Sequence, residues 1–171
     1  MTPTVTVTAT LPVFFGAVIL EWDDEGLISC RLETDTTLPH AVIPRSQAGR
    51  RTLANDRLLG RATAWLRDWE ARRFRPVDFP IRLGLVTPFQ QEVLAAIARI
   101  EPGTTATYAE VARRVGRPQG ARSVGQVMAR NPWPLFFPCH RVVGTSGLGG
   151  FGPGLDLKRR LLTHEGVVYI I

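Results

Sequence analysis

The chain has 171 residues, 44% of them apolar, and 21 basic against 15 acidic side chains give a net charge of +6. That length holds one large domain or two small ones with a buried core, and no run of 18 apolar residues exists to span a membrane. Cys30 and Cys139 are the only cysteines, too few for a disulfide framework and suited to a reducing compartment.

The opening Met1-Thr-Pro-Thr-Val-Thr-Val-Thr has neither a basic n-region nor an apolar h-region. No export signal is expected from it, and the cytoplasm is the expected location. Residues 13–22 and 27–32 are apolar, β-rich runs, and Asp23-Asp24-Glu25-Gly26 between them is a turn signal, so a hairpin is expected. Cys30 falls inside the second run and reads as core. Residues 33–54 are polar, contain Pro39 and Pro44, and read as a loop with room for one short strand. His40 reads as a surface histidine, and Cys30 with His40 is a poor zinc set, since a structural site normally takes four ligands. Asn55 is the expected N-cap of a helix whose apolar face is Leu58, Leu59, Ala62, Trp65, Leu66 and Trp69. A basic connector, Arg72-Arg73-Phe74-Arg75, follows. The alternation of Ile81, Leu83 and Leu85 predicts a last strand. The domain boundary is expected near residues 84–87, giving an α/β domain over 1–86, a small antiparallel sheet plus a helix with a structural role. Residues 87–171 form the second domain.

That second half is mainly helical. Thr87, Pro88 and Gln90 have the pattern of an N-cap, N1 and N3 of a capping box, with Phe89, Val93, Ile97 and Ile100 as the buried face. Pro102-Gly103 ends that helix. Thr107 and Glu110 make a second capping box, opening a short helix to about Val115. Residues 116–120 are a turn, and a third helix runs over about 121–130, closed by Asn131-Pro132. Two short helices across a glycine-containing turn form a helix-turn-helix. Residues 1–86 carry 11 basic and 10 acidic side chains, whereas residues 87–171 carry 10 and 5. The basic second half suits a polyanionic partner. Arginine outnumbers lysine twenty to one, which a codon bias would explain.

Cys139-His140-Arg141 closes an apolar run, Leu135-Phe136-Phe137, that Pro134 and Pro138 keep out of a regular helix. Cys139 is expected at the floor of a pocket. A thiolate is a strong nucleophile, and a neighbouring base or positive charge raises its population. In extended backbone the Cys139 and His140 side chains would point to opposite sides, so a bridging water is the easier link. A structural cysteine beside a satisfied histidine is the plain alternative.

Asn131-Pro132, the apolar run, Pro138-Cys139-His140-Arg141-Val142-Val143, a glycine-rich loop over 147–154 and a closing His164-Glu165-Gly166 follow one another in that order. This resembles the O6-alkylguanine-DNA alkyltransferases, also called methylated-DNA–protein-cysteine methyltransferases, closely over residues 87–166 and loosely before them. The resemblance implies a winged-helix-like carboxy-terminal domain and suicide repair. The alkyl group of O6-alkylguanine, and with less support O4-alkylthymine, would move irreversibly from duplex DNA to Cys139 after the base is flipped through the minor groove. It implies that His140 deprotonates Cys139 through a water, that Glu165 orients His140, that Asn131 ties the helix-turn-helix to the active segment, and that Tyr108 meets the flipped base. Arg122 would fill the gap left in the duplex, with Thr107, Ala121, Ser123 and Gly125 also at the DNA. Met128, Val142, Gly149, Phe151 and Gly152 would line the base pocket. Arg141 reads as an anchor of its segment rather than a catalytic group. No cofactor or metal is implied, and the expected form is a monomer, with cooperative assembly on DNA as a further expectation. Some family members bind zinc in the first domain, but the ligands are not evident here. Departures from the pattern are Gly144 after the second valine, Phe151 where tyrosine is common, Pro153 in the loop and Leu94 in place of a common tryptophan. The first three bear on substrate size rather than on the reaction, and Leu94 is a core change with little bearing on the chemistry. Two other readings are a sensor that binds alkylguanine without repairing it, which Cys139 argues against, and a cysteine hydrolase, which would need an oxyanion hole and leave the helix-turn-helix unexplained.

Overall fold

The computed structural model describes residues 6–34, 45–47 and 53–168, which divide into two compact units, Met1–Leu85 and Val86–Ile171. Pro39, His40 and Pro44 lie outside the described residues.

The first unit is a four-stranded antiparallel sheet with one helix against it. Its strands are β1 (Thr6–Val13), β2 (Gly16–Asp23), β3 (Gly26–Glu33) and β4 (Arg45–Gln47), in the order β3-β2-β1-β4. Val7 pairs with Trp22, Ala9 with Leu20 and Leu11 with Val18, and all six are buried. The pleat therefore puts one apolar face toward the helix. That helix, α1 (Leu53–Glu70), packs on β1. Leu58, Leu59, Ala62, Trp65, Leu66 and Trp69 are all buried on it, as a 3.6-residue period requires. Cys30 is buried in β3.

Three expectations are corrected here. The run over 13–22 is not one strand: the chain turns at Phe14–Phe15, and the Thr-Val alternation before it is a strand of its own. Gly16 permits the turn, with φ of 141° and a position where a Cβ would lie 2.2 Å from the Glu33 carbonyl oxygen. The helix begins at Leu53, so Asn55 sits inside its first turn rather than ahead of it. Ile81 makes one isolated bridge to Leu27, and Leu83–Leu85 is a 3₁₀ turn with Leu83 and Leu85 exposed, so no last strand forms. Apolar alternation there has no sheet face to bury against.

The Asp23–Gly26 turn is stabilised locally. The Asp23 carboxylate accepts from the Glu25 and Gly26 amides at 2.9 and 3.1 Å and pairs with Arg82.

The second unit holds α2 (Pro88–Ile97), β5 (Ala106–Thr107), α3 (Tyr108–Arg114), α4 (Ala121–Ala129), β6 (Val142–Val143) and α5 (Leu155–His164). Both capping boxes form: Thr87 with Gln90 opens α2, and Thr107 with Glu110 opens α3. Val93, Leu94, Ile97 and Ile100 are buried, whereas Phe89 is half-buried beneath the Arg117 guanidinium, 4.5 Å from its ring centroid. α2 packs on both α3 and α4, and the turn between those two runs through Gly116 with φ of 70°. Among the described residues no helix is long and apolar enough to cross a membrane.

Candidate active site

Two residues of parallel pairing organise the site. Ala106 lies beside Val142 and Thr107 beside Val143, so the start of α3 is tied to the chain just after Cys139. Tyr108 follows β5 directly and is brought to the same pocket as the thiol. That pocket is lined by Tyr108, Gly125, Met128, Ala129, Cys139, Gly150, Phe151 and Gly152.

Cys139 to Arg141 form a 3₁₀ turn, not an extended segment. The Arg141 amide donates to the Pro138 carbonyl at 2.9 Å and that of Cys139 to Phe137 at 2.8 Å. The segment before it is set by Asn131, whose side-chain amide donates to the Phe137 carbonyl at 2.8 Å while its oxygen accepts from the Trp133 amide at 3.0 Å. Leu135, buried between them, takes a left-handed φ of 72°, a conformation that costs an L residue about 1–2 kcal/mol. Packing and the two Asn131 bonds hold it there.

Behind the pocket lies a buried charge cluster. The Arg141 guanidinium donates to both Glu165 oxygens at 2.7 Å and to the Ile100 carbonyl at 2.6 Å. His140 Nε2 lies 3.0 Å from Glu165 Oε1, while its buried Nδ1 meets no hydrogen-bonding group among the described residues. Burial pushes the Glu165 carboxyl up, but its pairing with His140 and the hydrogen bonds of Arg141 outweigh it, holding it far below the usual carboxylate range. Burial draws the His140 imidazole below its ordinary value against the pull of Glu165, so at neutral pH it is free to accept a proton. Burial raises the Cys139 thiol, opposed by a hydrogen bond from Asn131 and by the charge of Lys158. At neutral pH the pocket therefore holds a Cys139 thiol with an uncharged imidazole behind it.

The glycine-rich loop closes on Tyr108. Its hydroxyl accepts from the Gly150 amide at 3.2 Å and donates to the Gly150 carbonyl at 3.3 Å. Gly149 passes so close that a Cβ there would lie 2.7 Å from the tyrosine ring, and its φ is 68°. Burial raises the Tyr108 hydroxyl and the Gly150 hydrogen bond lowers it, the first being the larger.

The residues singled out from the sequence thus fall into three places. Tyr108, Gly125, Met128, Cys139, Phe151 and Gly152 share the pocket. His140, Val142 and Glu165 are buried behind it, Asn131 braces its rim, and Gly149 packs on Tyr108 without lining the cavity. Thr107 caps α3, and Ala121, Arg122 and Ser123 open α4, with Arg122 and Ser123 exposed. Sequence reasoning passed over Lys158. Its ammonium is fully buried and donates to the Val142 carbonyl at 2.6 Å and to Gly150 at 3.1 Å. The signal was there: it is the single lysine of a chain with twenty arginines. Among the described residues, no group of three or more His, Cys, Asp and Glu side chains could hold a metal ion.

Residues 88–167 match the family model for the DNA-binding domain of 6-O-methylguanine DNA methyltransferase. The chain is 46% identical over 81 residues to a methylated-DNA–protein-cysteine methyltransferase of Methanosarcina acetivorans, covering 47% of this chain and 52% of that one. It is 48% identical over 90 residues to the protein of that name from Mycobacterium leprae, covering 52% and 54%. These alignments span about half the length of the curated relatives. The fold match is longer. The crystal structure of Mycobacterium tuberculosis OGT in complex with DNA aligns with a TM-score of 0.73 and 32% identity, over 91% of this chain and 90% of that one.

Proposed function

The chain belongs to the methylated-DNA–protein-cysteine methyltransferase family, and we propose that it repairs O6-alkylguanine in duplex DNA by irreversible transfer of the alkyl group to Cys139. The observation that carries this is the sharing of one pocket by the Cys139 thiol and the Tyr108 hydroxyl, with the His140–Glu165–Arg141 cluster buried behind it. A relative of known structure was solved in complex with DNA, which supports duplex DNA as the partner here.

In the proposed reaction Cys139 loses its proton to His140, with a water between Sγ and Nδ1. Glu165 holds the ring through Nε2 and stabilises the imidazolium, as a buried acid does in a catalytic triad. Sγ then attacks the alkyl carbon. The S–C bond forms, the C–O6 bond breaks, and the electron pair leaves with guanine. The departing base takes up one proton, with Tyr108 as donor and the imidazolium proton balancing the loss. The products are S-alkylcysteine and guanine. No second substrate restores the thiol, so one chain acts once.

The base must leave the stack to reach the thiol, which costs a few kcal/mol and less for a damaged pair. Arg122, exposed at the start of α4, is the side chain proposed to occupy the gap, with Thr107, Ala121, Ser123 and Gly125 along the minor groove. That groove carries a degenerate code, which suits a protein indifferent to sequence. The first unit, Met1–Leu85, is proposed to be structural. Two free thiols favour the cytoplasm as the compartment.

Intact-protein mass spectrometry after incubation with a duplex carrying O6-methylguanine tests the reading. One added methyl mapped to Cys139, with guanine restored, is expected, and Cys139→Ser should bind the duplex without gaining mass. Parent protein that binds the lesion and stays unmodified would overturn repair in favour of a sensor.

A further inference from the structure

The near balance of charge over residues 1–86 conceals a separation. Residues 21–33 carry five acidic side chains against Arg31, whereas residues 53–75, α1 and the turn after it, carry six arginines against three acids. Arg57, Gly60, Arg61, Ala64 and Arg67 are all exposed on α1, opposite the buried row from Leu58 to Trp69. Their steps of three and four residues place them on one helix face.

Two residues of this surface run against local preference. Gly60 sits in mid-helix, where only proline is less favourable. A Cβ there would meet nothing within 4 Å outside its own helix backbone, so packing among the described residues does not require a glycine. Arg72 sits where glycine is preferred. The Arg73 amide donates to the Asp68 carbonyl at 2.8 Å and the Arg72 amide to that of Trp69 at 2.9 Å, closing α1 as a Schellman turn. Arg72 takes the left-handed φ of 58° in that turn, which strains an L residue and not a glycine. The chain omits a side chain on the crest of the helix and holds a cation at its strained end. Breaches of local preference of this kind belong where function sets the residue.

The acids of this surface are engaged and part of its basic charge is not. Asp68 pairs with Arg73 and Arg75 at 2.7 and 2.9 Å, and Asp78 with Arg75 and Arg61 at 3.1 and 3.8 Å. Glu70 accepts from the Phe14 amide at 2.7 Å, and Asp56 lies back in the first turn of α1. Among the described residues Arg57, Arg67 and Arg72 form no ion pair. From Arg57 to Arg67 the helix rises about 15 Å, a length over which one DNA strand presents about four phosphates. The acidic stretch of a second copy is a poorer match, since Asp23 and Glu25 already pair with Arg82 and Glu21 with Arg31.

We propose that the outer face of α1 is a second duplex-binding surface, distinct from the helix-turn-helix, that grips the phosphodiester backbone of undamaged DNA. Arg57, Arg67 and Arg72 are its cations, and Gly60 is its point of closest approach. This adds a binding role to the first unit and does not depend on the transfer reading.

Arginine-selective modification by phenylglyoxal, read residue by residue by peptide mass spectrometry, tests this on the parent protein. Saturating undamaged duplex at low salt should slow modification of Arg57, Arg67 and Arg72 by about threefold or more, while Arg31 on the sheet keeps its rate. Arg57→Gln combined with Arg67→Gln should weaken duplex binding about tenfold at low salt, measured by fluorescence anisotropy, and the difference should shrink as salt rises. Gly60→Gln and Arg72→Gly restore local preference. Each should raise the melting temperature by about 2 °C or more and yet weaken duplex binding about threefold. Protection confined to Arg113, Arg114, Arg117, Arg122 and Arg130 would overturn the proposal, as would stabler Gly60→Gln and Arg72→Gly variants that bind duplex like the parent. Protection of Arg57, Arg67 and Arg72 on raising protein concentration without DNA would also overturn it, in favour of a contact between copies. None of these readouts involves alkyl transfer, so a parent that leaves O6-methylguanine untouched would sink the repair reading and leave this test standing.

Discussion

At the scale of single residues, the deciding feature is that Glu165 serves two basic side chains. Arg141 takes both oxygens and His140 shares one of them. The carboxylate stays ionised whichever form the imidazole adopts, which suits the proposed role of His140 as a base that passes through a protonated state. Glu165→Gln would leave a buried guanidinium without its counter-ion, and breaking a buried pair in this way costs about 3–5 kcal/mol. Chemical denaturation at neutral pH should register that loss. The pH dependence has a definite sign. The folded carboxyl titrates below its unfolded value. Its stabilisation is therefore present above about pH 4.5 and is lost as pH falls through and below that range. The acid limb of the stability curve should be flatter in Glu165→Gln than in the parent. An equally steep limb in both would mean that Glu165 carries none of the acid sensitivity.

At the scale of elements, the glycine-rich loop and α3 act as a pair. Gly149 is held by two constraints, a φ of 68° and the Tyr108 ring where a Cβ would lie. Gly147, in the same loop, has nothing within 4 Å of a Cβ and no left-handed φ. Gly149→Ala should therefore push the loop off the Tyr108 hydroxyl, with a strain of about 1–3 kcal/mol. Methyl transfer should slow by about tenfold or more, since a misplacement of ~1 Å is enough to lose that much rate. Gly147→Ala should behave as the parent. Single-turnover transfer by the two variants measures this, and equal rates would show that contact with Tyr108 does not set the loop. The short elements around them are stabilised at their ends. Thr87 and Thr107 each satisfy helix amides that would otherwise lack partners, and the two-residue ladder of β5 and β6 fixes where α3 starts relative to Cys139.

At the scale of the whole molecule, charge is the property that matters. Arg113, Arg114, Arg117, Arg122 and Arg130 are all exposed on α3, α4 and the residues adjoining them. Only Glu110 supplies an acid within α3 and α4, and it is held ionised by the Thr107 cap. Each phosphate neutralised contributes about −0.9 to the slope of log affinity against log salt. Four or so such contacts predict a slope of about −4 for undamaged duplex, measured by fluorescence anisotropy between low and physiological salt. A slope near zero would mean that this surface does not face the DNA backbone.

The sequence by itself was sufficient wherever both partners of an interaction lie within one or two helical turns. The capping boxes at Thr87 and Thr107 each close within three residues. The apolar face of α1 follows from its period alone, and the Pro-Cys-His-Arg run carries its chemistry in adjacent positions. The first strand was legible too, in the alternation of threonine with Val7, Ala9 and Leu11 over residues 6–11, but hydrophobic content drew the boundary to the richer run after it. What only the tertiary structure decided are pairings between distant groups. Leu83 and Leu85 alternate like a strand yet find no sheet face. Arg141 meets a carboxylate 24 residues away, and Lys158 meets carbonyls 16 and 8 residues back along the chain. A buried charge is stabilised by whichever groups the fold brings to it, and no local pattern names those groups in advance.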